Sequence, residues 1–168
     1  MKGFLYFAYG SNLDPTQMKT RCPRSREGPV GTLRSCRLGF TFYSPGSAGG
    51  TADIVPDSEG EVWGLIYRLS ADDLHSLDRY EGHPTKYRRL QVDVDTLDSL
   101  IAGVWTYAVV NKEAFVPPAA SYLAVLTQAA ERCRFPTWYQ SLLQGTVTRI
   151  RSAEVDEHAF QRAVSSGA

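Results

Sequence analysis

The sequence predicts an α+β protein in which a mostly antiparallel sheet or small β-barrel carries flanking helices. Three observations predict this class. Apolar and aromatic segments of strand length recur through most of the chain, helix-start signals interrupt them, and helical periodicity follows near the C-terminal end. The order is not the strict βαβα alternation of a parallel sheet. Strands with inserted and appended helices therefore favour α+β.

Size and charge narrow the class of protein further. The 168 residues are the usual size of one domain, which we expect over residues 1–150, followed by a polar tail over 151–168 that could be a loosely attached helix. The 43% of hydrophobic residues is typical of a soluble globular protein. Lys+Arg and Asp+Glu both number 18, so the chain lacks the basic excess of a nucleic-acid binder.

Membrane and metal partners are not expected. No apolar segment approaches the ~20 residues that span a bilayer, and the N-terminus lacks the pattern of a signal peptide. The cysteines, Cys22, Cys36 and Cys133, are widely spaced, which fits a reducing cytoplasm better than a disulfide scaffold. The three histidines show no metal-ligand spacing. The sequence allows a homodimer but does not show one.

The first element is predicted to be a buried strand over Phe4 to Tyr9, because this segment is apolar and aromatic on both faces. A helix start follows closely. Asp14 suits the N-cap, Pro15 suits the first helical position, and Gln17 falls where a capping box requires Glu or Gln. The helix is predicted to be short, because Cys22-Pro23 ends it.

The middle of the chain is predicted to contain strands and loops between Gly28 and about Asp57. Arg37–Ser44 alternates weakly as a strand would, and Pro45–Pro56 is predicted to be a Gly-rich loop that leads into a short strand. Glu61–Leu69 is a strong strand signal, because aliphatic and aromatic residues dominate it.

A helix is predicted between Ser70 and Gly82, with Ser70 as its N-cap and Gly82 in the left-handed position after its last turn. The segments YRRLQVDVDT and LIAGVWTYAVV are predicted to be strands joined by a turn at 97–99. Pro117-Pro118 opens a further helix with one apolar face. Phe135-Pro136 breaks it and starts another short helix that runs through Leu143.

Glu81 is the candidate catalytic residue. It follows Leu74 and Leu77 at the spacing i, i+3, i+7, so its carboxylate lies on the apolar face of the predicted helix. Burial and the negative end of the helix dipole would both raise its pKa, as a general base near neutral pH requires. The alternative is a structural ion pair with one of the basic residues that follow: Lys86, Arg88 or Arg89.

The segment YGSNL, Tyr9 to Leu13, is a candidate anion site. Gly10 permits a close approach of the backbone, and the next residues lead into a helix N-terminus with free N–H groups. Such groups can bind a carboxylate or an oxyanion. The alternative is a tight turn in which Ser11 and Asn12 satisfy local backbone groups, and taken alone the motif favours that turn.

Other motifs give weaker signals. Pro45 to Gly50, PGSAGG, lacks the Lys of a P-loop, and we interpret it as a mobile loop that could form one wall of a site. Ser11 is not in the G-x-S-x-G context of a hydrolase nucleophile. Tyr87, Tyr107 and Tyr122 are, each taken alone, core residues whose hydroxyl groups need a partner.

Several of these segments together resemble the gamma-glutamylcyclotransferase family. The segment YFAYGSNL resembles the N-terminal signature of the family. The later family segments follow in the same order: the Gly-Gly loop, the VWG strand, the LDRYEG segment and the C-terminal helices. The matching segments are Tyr6–Leu13, Gly49–Ser70, Leu77–Val94, Val104–Val109 and Pro117–Leu143. They cover most of the chain.

The resemblance implies a small mixed or antiparallel β-barrel with flanking helices and a cytoplasmic enzyme that needs no metal or organic cofactor. Family members cyclise gamma-glutamyl compounds, an intramolecular reaction of acyltransferase or lyase type that releases 5-oxoproline and a free amine. The catalytic glutamate of the family corresponds to Glu81, and its substrate-binding loop corresponds to Tyr9-Gly10-Ser11-Asn12-Leu13. Its pocket tyrosines correspond to Tyr87, Tyr107 and Tyr122.

The leaving group stays open at this point. Pro84, two residues after Gly82, resembles the gamma-glutamylamine branch of the superfamily, whereas the C-terminal helices resemble the gamma-glutamyl amino acid branch. The alternatives are an amino acid, a peptide, the lysine side chain of a cross-link fragment and a protected biosynthetic intermediate. Glutathione as the substrate ranks below them. A different class of protein is also open: a relative without catalysis that binds an acidic or gamma-glutamyl ligand in the same pocket.

Overall fold

A computed structural model describes residues 3–146 of the chain. Its regular elements are the strands β1 Phe4–Ala8, β2 Arg26–Ser44, β3 Gly49–Leu69, β4 Tyr87–Thr96 and β5 Leu100–Val109 and the helices α1 Pro15–Arg21, α2 Ala71–Glu81, α3 Ala120–Arg132 and α4 at 137–146. The predicted polar tail at 151–168 lies outside the described residues. Within them, no helix combines the length and the apolar character needed to cross a membrane.

The strands close into one barrel in the order β1-β3-β2-β4-β5. Neighbouring strands are antiparallel except at the closure, where β1 runs parallel to β5 and Tyr6 pairs with Trp105. The α-helices precede or follow strands instead of alternating with each one. The predicted α+β class and the mixed barrel with flanking helices are therefore confirmed.

The segment between Arg26 and Leu69 forms one long hairpin, which the sequence did not predict. Pro45–Ser47 is a single 3₁₀ turn, and Ala48 adopts the left-handed conformation at φ 52°. The chain returns as β3 directly from Gly49, which pairs with Ser44. The predicted Gly-rich loop is therefore shorter than expected, and the strand predicted after it begins already at Gly49, because cross-strand pairing offsets the low strand propensity of the glycines.

The two glycines after the turn allow another backbone segment to approach β3. A Cβ atom at Gly50 would lie 2.0 Å from the Val116 carbonyl oxygen, and one at Gly49 would lie 2.8 Å from the Ala119 nitrogen. The Gly50 N–H donates to the Pro117 carbonyl at 2.8 Å. The absence of side chains at these positions thus lets the segment that leads into α3 lie directly against the hairpin.

The two helices near the barrel opening begin and end largely as predicted. The Asp14 side chain accepts a hydrogen bond from the Thr16 N–H, and α1 stops before Cys22. Ser70 caps α2 in a reciprocal capping box, and Gly82 ends it at φ 64°. The capping box predicted for Gln17 is wrong, because the Gln17 amide instead donates to the side chains of the preceding loop.

Candidate functional site

A cavity of about 150 Å³ lies at the end of the barrel where the loop before α1 meets the end of α2. The predicted site residues Tyr9, Gly10, Ser11, Asn12, Glu81, Tyr87, Tyr107 and Tyr122 all line it. Tyr6, Arg21, Tyr80 and Lys86 complete its wall together with residues of the hairpin turn, among them Ser44, Pro45 and Ser47. The structure therefore brings together side chains from distant parts of the sequence around one space.

Leu13 is the predicted site residue that does not line this cavity. Its side chain is buried in the core, and its carbonyl oxygen accepts a hydrogen bond from Arg132 at 3.0 Å. Its N–H donates to the Gly10 carbonyl at 2.9 Å and closes a 3₁₀ turn over Ser11–Leu13. The N–H group of Leu13 is therefore used by the tight turn and does not belong to the free N–H groups predicted for an anion.

Glu81 is the last residue of α2, and its side chain is only 15% exposed. Leu74 and Leu77 are buried on the same helix, which is the predicted inward face. Burial raises the pKa of the Glu81 carboxyl above its ordinary value, while the charge of Arg21 and a hydrogen bond from Asn12 oppose that rise. The carboxylate is therefore held in a site that favours the protonated form more than water does.

The ion-pair partner of Glu81 is not one of the basic residues that follow it in the sequence. Arg21 of α1 approaches Glu81 Oε1 to 3.5 Å, and Asn12 Nδ2 donates to the same oxygen at 2.8 Å. Arg89, one of the predicted partners, pairs with Asp78 instead. Within residues 3–146, none of the hydrogen bonds and ion pairs of Glu81 uses Oε2, so this oxygen is available to a molecule in the cavity.

The Asn12 amide is fixed by contacts on both of its ends. Its Oδ1 accepts hydrogen bonds from Gln17 Nε2 at 3.0 Å and from Arg21 at 2.9 Å. Its Nδ2 donates to Glu81 and, at 2.9 Å, to the Tyr6 hydroxyl. Because both partners of Oδ1 are donors, the amide can present only its NH₂ group to Glu81. Asn12 therefore orients the carboxylate.

The cavity tyrosines use their hydroxyl groups in different ways. Tyr9 donates to the Tyr107 carbonyl at 2.6 Å, and Tyr107 donates to Asp78 at 2.7 Å. The Tyr87 hydroxyl donates to the Ala52 carbonyl at 3.2 Å and shares a 2.7 Å hydrogen bond with Thr51. Their rings thus shape the wall of the cavity, while their hydroxyl groups join the surrounding strands to each other and to α2.

Tyr122 differs from these tyrosines because its hydroxyl lies beside the glycine of the loop. A Cβ atom at Gly10 would be 3.2 Å from the Tyr122 oxygen, so a larger residue there would crowd it. The Ala52 N–H donates to that oxygen at 3.0 Å. Burial raises the pKa of Tyr122 to about 12, which leaves its hydroxyl protonated and able to donate to a bound group at neutral pH.

Tyr6 and Arg21 are the residues around Glu81 and Asn12 that sequence reasoning missed. A signal for Arg21 was present, because Gln17 and Arg21 are spaced i, i+4 and therefore share one face of α1. Tyr6 was hidden among the aromatic residues of the first strand. Among residues 3–146, no three His, Cys, Asp or Glu side chains converge in a group that could hold a metal ion.

We expect Arg21→Met to raise the pKa of Glu81 further. The positive charge of Arg21 favours the ionised carboxylate and lowers the pKa of Glu81. Without that charge, the rise in pKa caused by burial is less opposed. The measurement is the titration of the Glu81 carboxyl carbon by ¹³C NMR in both proteins. Arg24→Met is the matched control, because Arg24 is exposed and pairs with Asp72 away from the cavity. A Glu81 titration that is the same in Arg21→Met and wild type would contradict this electrostatic role.

The comparisons with known proteins agree with each other. The AIG2-like family matches residues 61–143. The gamma-glutamylcyclotransferases of Bos taurus and Homo sapiens are each 30% identical over 93% of this chain and 85% of their own length. A solved structure named gamma-glutamyl cyclotransferase aligns with a TM-score of 0.80 and 31% identity, covering 85% of this chain and 87% of that chain.

Proposed function

Because this chain belongs to the gamma-glutamylcyclotransferase family, as its motifs indicated, we propose that it cyclises a gamma-glutamyl compound into 5-oxoproline and a free amine or amino acid. We propose the cytoplasm as its location, where Cys22, Cys36 and Cys133, which are all free thiols, would stay reduced. The observation that carries the proposed activity is the position of Glu81, a largely buried carboxylate with one oxygen held by Asn12 in the wall of the cavity.

Glu81 is proposed to act first as a base. The substrate carries its nucleophile, the α-amino group, as an ammonium ion at neutral pH. Transfer of one proton to Glu81 frees the nitrogen lone pair, which attacks the γ-carbonyl carbon and closes a five-membered ring. Both reacting groups belong to one molecule, so the protein has to select the curled conformer and does not have to bring two molecules together.

Glu81 is proposed to act next as an acid. When the tetrahedral intermediate collapses, the bond between the γ-carbon and the leaving nitrogen breaks, and protonated Glu81 returns a proton to that nitrogen. The ring nitrogen loses the second proton of the original ammonium group to solvent as the lactam forms, and the released amine takes up a proton from solvent to become an ammonium ion. The carboxylate is then ready for another cycle, and 5-oxoproline and the free amine leave. A raised pKa serves both steps, because it makes the carboxylate a stronger proton acceptor and lets the carboxyl group hold that proton near neutral pH until the leaving nitrogen takes it.

The oxyanion of the tetrahedral intermediate and the α-carboxylate of the substrate need hydrogen-bond donors. The Tyr122 hydroxyl and the Ser11 hydroxyl and N–H group lie together beside Gly10 and can supply them. Arg21 lines the same cavity and offers a cationic group to a carboxylate. Asn12 is committed to holding Glu81, so we assign it to orientation of the base and not to binding of the oxyanion.

A product assay tests the proposed reaction. The protein is incubated with gamma-glutamyl amino acids and gamma-glutamyl amines, and the products are identified by mass spectrometry. We expect 5-oxoproline and the free amine in equal amounts. Free glutamate in place of 5-oxoproline would identify a hydrolase. Ligand binding by calorimetry without any product would identify a binding protein that uses the same pocket. Either result would refute the cyclisation.

A further inference from the structure

Lys86 is the cavity charge that the proposed reaction leaves unexplained. Among the described residues, the formally charged side chains in the cavity wall are Arg21, Glu81 and Lys86. Arg21 and Glu81 lie 3.5 Å apart and offset each other. Lys86 forms no ion pair with any residue among those the structure describes. The cavity wall that contains the proposed catalytic carboxylate therefore also carries one positive charge, Lys86, that no described residue pairs with.

The backbone of Lys86 is anchored on both sides, so the lysine side chain starts from a fixed point in the cavity wall. The Lys86 N–H donates to the Gly82 carbonyl at 2.9 Å, and the Lys86 carbonyl accepts from the Val110 N–H at 2.9 Å. Its aliphatic part covers Gly82, where a Cβ atom would lie 2.8 Å from Lys86 Cδ. Gly82 directly follows Glu81, so the lysine stem extends along the end of α2 that carries the proposed base.

The cavity wall also offers hydroxyl groups to a polar ligand. Ser44 and Ser47 of the hairpin turn line the same cavity as Lys86. An ammonium group and hydroxyl groups in the wall of one cavity are suited to binding a carboxylate. The glutamyl part of a substrate already has Glu81 for its ammonium group and Arg21 with the Ser11 region for its carboxylate. Lys86 therefore remains available to bind the leaving group.

We propose that Lys86 is a specificity-determining residue that binds the carboxylate of the leaving amino acid. The inference rests on the proposed function and narrows its substrate class, because a leaving amine without a carboxylate gains nothing from this charge. A gamma-glutamyl amino acid is therefore favoured over a gamma-glutamyl amine of the same shape. The discrimination is electrostatic, and it weakens as salt screens the exposed ammonium group.

The test compares two substrates that differ only in this carboxylate, gamma-glutamyl-alanine and gamma-glutamyl-ethylamide. The quantity measured is the ratio of their kcat/KM values, in wild type and in Lys86→Met. We expect the ratio to fall about fivefold in Lys86→Met, the size of a partly exposed ion pair, and about 20-fold in Lys86→Glu, where repulsion replaces attraction. We expect Lys86→Arg to retain most of the preference.

Arg88→Met is the matched control, because it removes one exposed positive charge two residues away and outside the cavity wall. We expect its ratio to equal that of wild type. Raising the salt concentration should lower the wild-type ratio and leave the Lys86→Met ratio unchanged, a response that a merely structural lysine would not give.

The outcomes separate this inference from the proposed function. If wild type releases 5-oxoproline and Lys86→Met slows both substrates equally, Lys86 contacts the glutamyl part or supports the fold, and the inference is overturned while the function stands. A ratio that does not change in any Lys86 variant overturns it as well. If wild type forms no 5-oxoproline from either substrate, the proposed function fails and the inference fails with it.

Discussion

Glu81→Gln is expected to lower the turnover of a gamma-glutamyl substrate by 10²–10⁴-fold, roughly the loss on removing a positioned proton-transfer group. The substitution keeps the size of the side chain and an acceptor oxygen for the Asn12 amide, whose hydrogen bond to Glu81 is 2.8 Å long. It removes the ability to take a proton from the substrate and return it. The measurement is the rate of 5-oxoproline release under saturating substrate.

The fold is expected to survive this change, and stability offers a second readout. Burial raises the pKa of Glu81 in the folded state above its ordinary 4.5. The folded protein therefore loses stability as pH rises from the unfolded pKa through the folded pKa, because it must then hold a buried negative charge. Glu81→Gln removes this loss, so its stability relative to wild type should increase with pH across that interval.

Glu59→Gln is the matched control for Glu81→Gln. Glu59 is exposed on the hairpin and does not line the cavity, and the chemical change is identical. Its turnover should equal that of wild type. If Glu81→Gln also turned over at the wild-type rate, with its fold verified by circular dichroism, another group would have to move the proton and the assignment of Glu81 would be wrong.

Gly50→Val is expected to destabilise the protein by about 3 kcal/mol, the upper part of the usual cost of overpacking. Its Cβ atom would meet the Val116 carbonyl oxygen at 2.0 Å, and a backbone atom cannot move aside as a flexible side chain can. For a chain of this size we expect thermal unfolding to shift down by about 6–12 °C. The measurement is a melting curve followed by circular dichroism.

The effect of Gly50→Val should extend to catalysis. The displaced segment leads into α3, which carries Tyr122 into the cavity. We therefore expect KM to rise in molecules that still fold. Gly46→Val is the matched control, because the nearest atom to its added Cβ is the Ser44 hydroxyl oxygen at 3.9 Å. Equal melting temperatures for the two variants would contradict the close approach at Gly50.

The inward position of Glu81 could be predicted because helical periodicity depends only on local backbone geometry. The limits of α2 could be predicted for the same reason, since Ser70 and Gly82 act within one turn of the helix ends. The Tyr9-Gly10-Ser11-Asn12 segment could be located as a turn before a helix. Each of these features is decided by residues a few positions apart in the chain.

The partners across the cavity could not be predicted from local patterns. The identity of the cation beside Glu81 depends on how α1 approaches α2, and that approach depends on the barrel between them. For this reason local patterns pointed to residues next in sequence, such as Arg89, although Arg89 pairs with Asp78. The return of the chain at Gly49 was missed similarly, because pairing with β2 decides it.

The closure of the barrel by its first and last strands has a consequence for synthesis. Tyr9 donates to the Tyr107 carbonyl and Thr106 donates to the Phe7 carbonyl, across separations of 98 and 99 residues. The turn at Tyr9-Gly10-Ser11-Asn12 leaves the ribosome among the first segments made. Its contacts with β5 cannot form until β5 has also emerged. Such a late, long-range contact closes slowly. A stalled or prematurely ended chain that stops before β5 therefore has no cavity, and it exposes one edge of β1 to pairing with other chains.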